Sequence, residues 1–153
     1  MPGDQTASST PRAGTLVPLL SSLDWQPSQG SPDEILNAYL NYWTVIIKAF
    51  QTQDPAHLDE VATGTEYALN RKLLAELKAA NHTVEMAVEH KVRRFASRGD
   101  ETVLTDVNTI TARVTDLNTN TVTTVPGVPY GDSTRPTYLL VRVGGTWKVS
   151  YAE

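Results

Sequence analysis

TYLLVRVGGTWKVSYAE, Thr137 to Glu153, closes the chain on its most regular apolar pattern. Two runs rich in β-branched and aromatic residues flank Gly144-Gly145, a two-residue turn suited to positive φ. Tyr138–Val143 and Thr146–Ala152 are therefore expected to pair as a hairpin. On strand parity, Leu139, Val141, Val143, Trp147, Val149 and Tyr151 are expected to form one inner face. Chain ends usually fray; this one is expected to be held by burial in the middle of a sheet.

The period of two extends upstream. Val84, Met86, Val88, His90 and Val92 alternate with Glu85, Glu89, Lys91 and Arg93. This predicts a half-buried strand from Thr83 to about Ala96, a turn at Ser97–Asp100, and a second strand from Thr102 to Asp116. Apolar parity slips between Val103/Val107 and Ile110/Ala112/Val114, which a bulge near Asp106–Asn108 would repair. Asp116–Thr121 reads as a turn, Val122–Val125 as the next strand and Pro126–Pro136 as a loop.

Before Thr83 the period is helical. Ser31-Pro32-Asp33-Glu34 combines a cap, a proline at the first helical position and acids suited to the helix dipole. Ile35, Leu36, Tyr39, Leu40, Trp43, Ile46, Ile47 and Phe50 share one face of a helix from Pro32 to about Thr52. A short helix from Pro55 to Ala62 and a third from about Thr65 to Ala80 follow, the last with Leu69, Leu73, Leu74 and Leu77 inward and Asn81 as its stop. Residues 1–30 are rich in Pro, Gly, Ser and Thr and read as a flexible tail or tether. Within them, Leu19, Leu20, Leu23 and Trp25 form an apolar segment suited to docking. Residues 31–153 form the domain: an α+β fold with three N-terminal helices packed in the concavity of a strongly curved antiparallel sheet, a cone.

The chain has 153 residues, a net charge of −4 and no cysteine. One domain with its own core fits this length. Disulfides, thiolate metal sites and cysteine nucleophiles are excluded. The nearest basic cluster, Lys91, Arg93, Arg94 and Arg98, reads as a solvated strand face, so no nucleic-acid partner is expected. No run approaches the about 18 apolar residues of a membrane span, so no membrane insertion is expected. His57, His82 and His90 fall on three different elements, so no metal site is expected. No phosphate-binding glycine loop or nucleophile elbow occurs, and no cofactor is expected.

Three helices followed by an antiparallel sheet ending in Gly-Gly-Thr-Trp-Lys-Val, Gly144 to Val149, resemble the nuclear transport factor 2-like superfamily of cystatin-like α+β cones. Tyr42–His90 resembles one bacterial branch through Ala49-Phe50 followed by Asp54, then Leu58, Val61 and Thr63-Gly64, then the leucine-rich helix. That branch resembles the intermembrane-space domain of a plastid-division protein and the extracytoplasmic heads of bacterial lipoproteins. The superfamily includes ketosteroid isomerases, polyketide cyclases, dehydratases, transport adaptors and noncatalytic modules. The resemblance therefore implies a fold more firmly than an activity.

The candidate site residues are the polar ones aimed inward. His90 lies on the apolar parity of its strand and is a candidate base. Asp106 shares parity with Leu104, Ile110 and Val114 unless a bulge turns it to water; enclosed, it would be a candidate acid or base. Tyr39, Tyr42 and Tyr138 are candidate donors to a ligand carbonyl, Tyr39 reading more simply as core. A ligand pocket would be lined by Tyr39, Trp43, Met86, His90, Leu139 and Trp147. Tyr130 and Arg135, on the proline-stiffened loop, are the candidate partner contacts.

The expected function is a noncatalytic interaction or ligand-sensing head of a tethered or exported bacterial protein, extracytoplasmic or membrane-tethered with the cytoplasm as the alternative place, and with an unknown protein partner or a small hydrophobic ligand. The alternative is a cone-fold isomerase, lyase or cyclase with His90 and Asp106 as acid–base pair on a hydrophobic carbonyl compound. A homodimer through the Thr-rich outer sheet face is a further expectation.

Overall fold

The structure, a computed structural model, describes residues 32–128 and 135–153. The expected tail, the Ser31 cap and Tyr130 lie outside the described residues. Helix α1 spans Pro32–Thr52, α2 Leu58–Val61 and α3 Gly64–Ala79. Seven strands follow: β1 His82–Glu89, β2 Val92–Arg98, β3 Glu101–Asp106, β4 Thr109–Asp116, β5 Thr121–Pro126, β6 Thr137–Val143 and β7 Thr146–Ala152.

The apolar stripe of α1 is buried: Ile35, Leu36, Tyr39, Trp43, Ile46 and Phe50 are each at most 3% exposed. Helix α3 contributes Leu73, Leu74 and Leu77, and Asn81, at φ 58, ends it in the left-handed conformation that asparagine tolerates. The helices pack on the inner faces of β1 and β7. Trp43 and Trp147 lie in one core, with Val84, Met86 and Val88 of β1.

The strands form two antiparallel sheets, of order β1-β4-β5 and β2-β3-β6-β7, where the sequence suggests one continuous sheet. The long hairpin expected over residues 83–116 is present, but it breaks at His90-Lys91 and Val107-Asn108. Its two halves then recruit different neighbours. The ladder runs through the break, because Val107 N–H donates to the Lys91 carbonyl at 3.0 Å. The bulge expected near Asp106–Asn108 is absent: β3 runs in unbroken register there, and the shift falls on the facing strand instead, between Val92 and Arg94. Parity through Thr102, Leu104, Asp106, Ile110 and Ala112 never slips, and Val103 and Val107 are exposed.

The closing hairpin pairs as expected but does not sit in the middle of its sheet: β7 is the edge strand, and α3 rather than another strand covers that edge. Its inner face also differs from the expected one. Trp147 and Val149 are buried, but their cross-strand partners are Arg142 and Leu140. A two-residue turn pairs odd-numbered with even-numbered positions, so Tyr138 and Leu140, not Leu139 and Val141, fill the core. A register shift between Leu139 and Leu140 then pairs Leu139 with Tyr151 on the outer face, where Tyr151 is 44% exposed. Val143, at 46% exposure, also leaves the expected inner face.

Helix α3 begins against the free edge of β7. Thr63 N–H donates to the Val149 carbonyl at 2.9 Å, and Ala62 makes a parallel bridge to Val149. Gly64 takes φ +57, and a Cβ there would lie 3.0 Å from Ser150 Oγ. Gly64→Ala is expected to cost about 1–2 kcal/mol in urea unfolding, from left-handed backbone strain and crowding. An unchanged midpoint would show that the α2–α3 corner tolerates a side chain.

Candidate functional site

Asp106 ends β3 on the buried side of the hairpin break and is 0% exposed. Its Oδ2 accepts from the Tyr39 hydroxyl and from His90 Nδ1, each at 2.6 Å. Its Oδ1 accepts from the Lys91 N–H at 2.7 Å, and its own N–H donates to the Pro136 carbonyl at 2.8 Å. One residue thus joins α1, both strands of the break and the segment entering β6. An acceptor with several donors around it is the arrangement that makes a buried carboxyl tolerable.

His90 is also 0% exposed. With Nδ1 directed at Asp106, the ring lies against Tyr39 and Trp43, at centroid distances of 5.7 and 5.8 Å. Its Nε2 is buried and has no hydrogen-bond partner among the described residues. Tyr138 packs edge-on against Tyr39 at 5.0 Å and accepts from Asn108 Nδ2 at 3.1 Å.

A second buried polar group lies one turn along α1. Glu66 of α3 is 1% exposed and receives both Arg135 guanidinium arms, at 3.0 and 3.1 Å. Tyr42 donates to the same carboxyl, and Asn70 donates to the Tyr42 hydroxyl at 3.1 Å. Burial alone would lower the Arg135 pKa, but the Glu66 hydrogen bonds and charge outweigh it and raise it.

Of the candidate residues, Tyr39, Trp43, Met86, His90, Asp106, Tyr138 and Trp147 are brought together in the core. Leu139 is placed on the outer face, where it pairs with Val103, and Leu140 occupies the interior position. Arg135, expected as an exposed contact, is 14% exposed and bound to Glu66. The bulge expected to turn Asp106 to water does not form on β3, and Asp106 is enclosed instead. Glu66 and Asn70 were missed in the sequence. Their signal was position: with Leu73, Leu74 and Leu77 they continue the apolar stripe of α3 at helical spacing.

The described concavities lie elsewhere. A cleft of about 420 Å³ between the solvent side of α1 and the turn before α2 includes neither His90 nor Asp106 in its lining. Among the described residues no group of three His, Asp or Glu side chains could hold a metal ion, and no helix is long and apolar enough to cross a membrane.

Asp106→Ala leaves three donors unpaired in the interior. It is expected to cost about 3–5 kcal/mol in urea unfolding, against about 1 kcal/mol for Tyr39→Phe, which removes one bond and leaves two. Equal small losses would contradict the joint described above.

Burial, the neighbouring Tyr138 and the Asp106 charge hold the Tyr39 phenol well above the ordinary tyrosine range. Burial and the Glu66 charge do the same for Tyr42, and burial pushes Tyr138 up to about 12. In the unfolded chain each titrates near pH ~10. Their neutral forms therefore contribute stability that is intact below that value and lost as pH rises through the folded pKa values. Absorbance titration is expected to show these three of the six tyrosines ionising only with cooperative alkaline unfolding. Ionisation of all six in an intact fold would contradict their burial.

No family model matches the sequence, and no curated protein matches it significantly. Sixteen solved chains do. One is the crystal structure of the intermembrane space region of chloroplast protein ARC6. It matches with a TM-score of 0.66 at 14% identity, covering 82% of this chain and 96% of that one. At that identity the likeness is one of fold: this chain shares the α+β architecture of that region.

Proposed function

We infer that this chain is a noncatalytic interaction domain of the nuclear transport factor 2-like cone type. It acts as the extracytoplasmic head of a tethered or exported bacterial protein. The observation that carries the reading is the division of chemistry between inside and outside. The groups needed for acid–base work, His90 and Asp106, are 0% exposed and bonded to each other. An apolar row faces outward instead. Ala96, Val103, Leu139 and Tyr151 lie opposite one another in register across β2, β3, β6 and β7. Val103 and Tyr151 are 40% and 44% exposed. Arg98, Glu101 and Lys148 lie in the next register row, on the same face. An apolar strip with a charged margin is the usual anatomy of a protein contact. The likeness to an intermembrane-space region and the tether-like composition of residues 1–30 support a place outside the cytoplasm.

The alternative, an isomerase, lyase or cyclase using His90 and Asp106 on a hydrophobic carbonyl compound, draws support from their 2.6 Å contact with a tyrosine at hand. It needs His90 Nε2 to meet a substrate, and that atom is buried. The core accordingly favours a filled module over a small-ligand pocket.

Photocrosslinking residues placed at Leu139 and at Asn41, in cells that make the protein, test the proposal. A discrete protein adduct at Leu139, absent at Asn41 on the solvent side of α1, is the expected result. Equal or absent labelling at both positions would count against the four-stranded sheet as the contact face.

A further inference from the structure

The outer edge of β5 carries an interaction of a different kind. Among the described residues β5 is the last strand of its sheet and pairs with β4 alone. Gly127 N–H donates to the Ile110 carbonyl at 2.9 Å, which fixes the phase of the ladder. Hydrogen-bonded pairs alternate from there. Val125 and Thr123 bond to β4, while the main-chain groups of Val122, Thr124 and Pro126 point away from it. Among the described residues nothing pairs with them, and Val122 is 49% exposed.

Natural sheet edges are commonly blunted by lysines, inward charges or bulges. Thr121-Val122-Thr123-Thr124-Val125 has no charged residue, and its register with β4 is unbroken. Proline enters only at Pro126, the end of the strand.

We propose that β5 pairs antiparallel with β5 of a second copy of this chain, joining two three-stranded sheets edge to edge. The available groups select this partner and its register. Only Val122 and Thr124 offer both a donor and an acceptor, because Pro126 has no N–H. Placing Val122 opposite Thr124 of the second copy, and Thr124 opposite its Val122, forms two narrow pairs, each exchanging both hydrogen bonds. Thr123 then lies on the two-fold axis facing its own copy. A longer partner strand would meet a missing donor at Pro126, whereas the short symmetric register uses every complete residue. Threonine–threonine and threonine–valine neighbours suit such a seam. The uncharged strand also spares the contact the repulsion that two chains of net charge −4 carry elsewhere. This seam is separate from the apolar row on the four-stranded sheet and stands whether or not that row binds a protein.

Sedimentation equilibrium on the full chain over a wide concentration range tests the pairing. A reversible dimer is expected in the unaltered protein. Thr124→Pro removes only the outward N–H, and Val122→Lys puts like charges on the seam. Each is expected to weaken the dimer at least about tenfold while the thermal unfolding midpoint of the diluted monomer is kept. The chain has no cysteine, so single cysteines report unambiguously. Thr123→Cys is expected to oxidise to a covalent dimer, since the facing Cα atoms of such a pair sit about 4.5 Å apart, within disulfide reach. Thr111→Cys, exposed on β4, is expected not to. A monomer at every concentration, a dimer unaffected by Thr124→Pro and Val122→Lys, or equal crosslinking at both cysteine positions would overturn the proposal.

Discussion

The architecture depends on one acceptor. Asp106 sits where a long hairpin stops serving one sheet and starts serving another, and it binds each element that meets there. Tyr39 reaches it from α1, His90 and Lys91 from the opposite strand, and its own N–H holds the segment entering β6. A buried carboxyl is costly when alone and tolerable when its oxygens are occupied. The joint therefore works only when the helix, the break and β6 are all in place. That requirement couples the helical layer to the point where the two sheets diverge.

A second carboxyl repeats the logic nearby. Glu66 ties α3 to α1 through Tyr42 and to the start of the β6 segment through Arg135. Tyr39 and Tyr42 lie almost one turn apart on α1, so a single helix face supplies hydroxyls to both carboxyls while its apolar neighbours fill the core. The functional consequence is one of access. His90 and Asp106 are buried against one another, and the described residues turn sheet outward: an apolar row on one face and, in β5, an outer strand edge with no partner among them.

Much of this was legible in the sequence. The helices followed from 3.6-residue spacing, the first strand from its alternation, and the last turn from Gly144-Gly145, whose φ values are 57 and 84. The inner face of β6 was misread because Tyr138, Leu139, Leu140 and Val141 are all apolar and alternation cannot choose between them. Turn arithmetic could have chosen: with Trp147 inward, its partner must be even-numbered, which selects Leu140. The strand breaks left no mark, since His90 and Asp106 keep the parity of their neighbours on both sides. Arg135 looked like a loop contact because its partner, Glu66, is 69 residues away and only the fold brings them together. Glu66 and Asn70 on the apolar side of α3 were the available hint that a buried polar partner was needed.

Asp106 locks the hairpin break, and amide hydrogen exchange at Lys91 reads that lock directly. Lys91 is exposed in side chain and lies between the flanking strands; its carbonyl takes a ladder bond from Val107, but its N–H is directed to the Asp106 side chain rather than to a facing main-chain carbonyl. Its protection must come from Asp106 Oδ1. This N–H is expected to exchange as slowly as core strand amides such as that of Val88, opening only with global unfolding. Exchange at the rate of the solvent-exposed turn residues around Gly99 would contradict it.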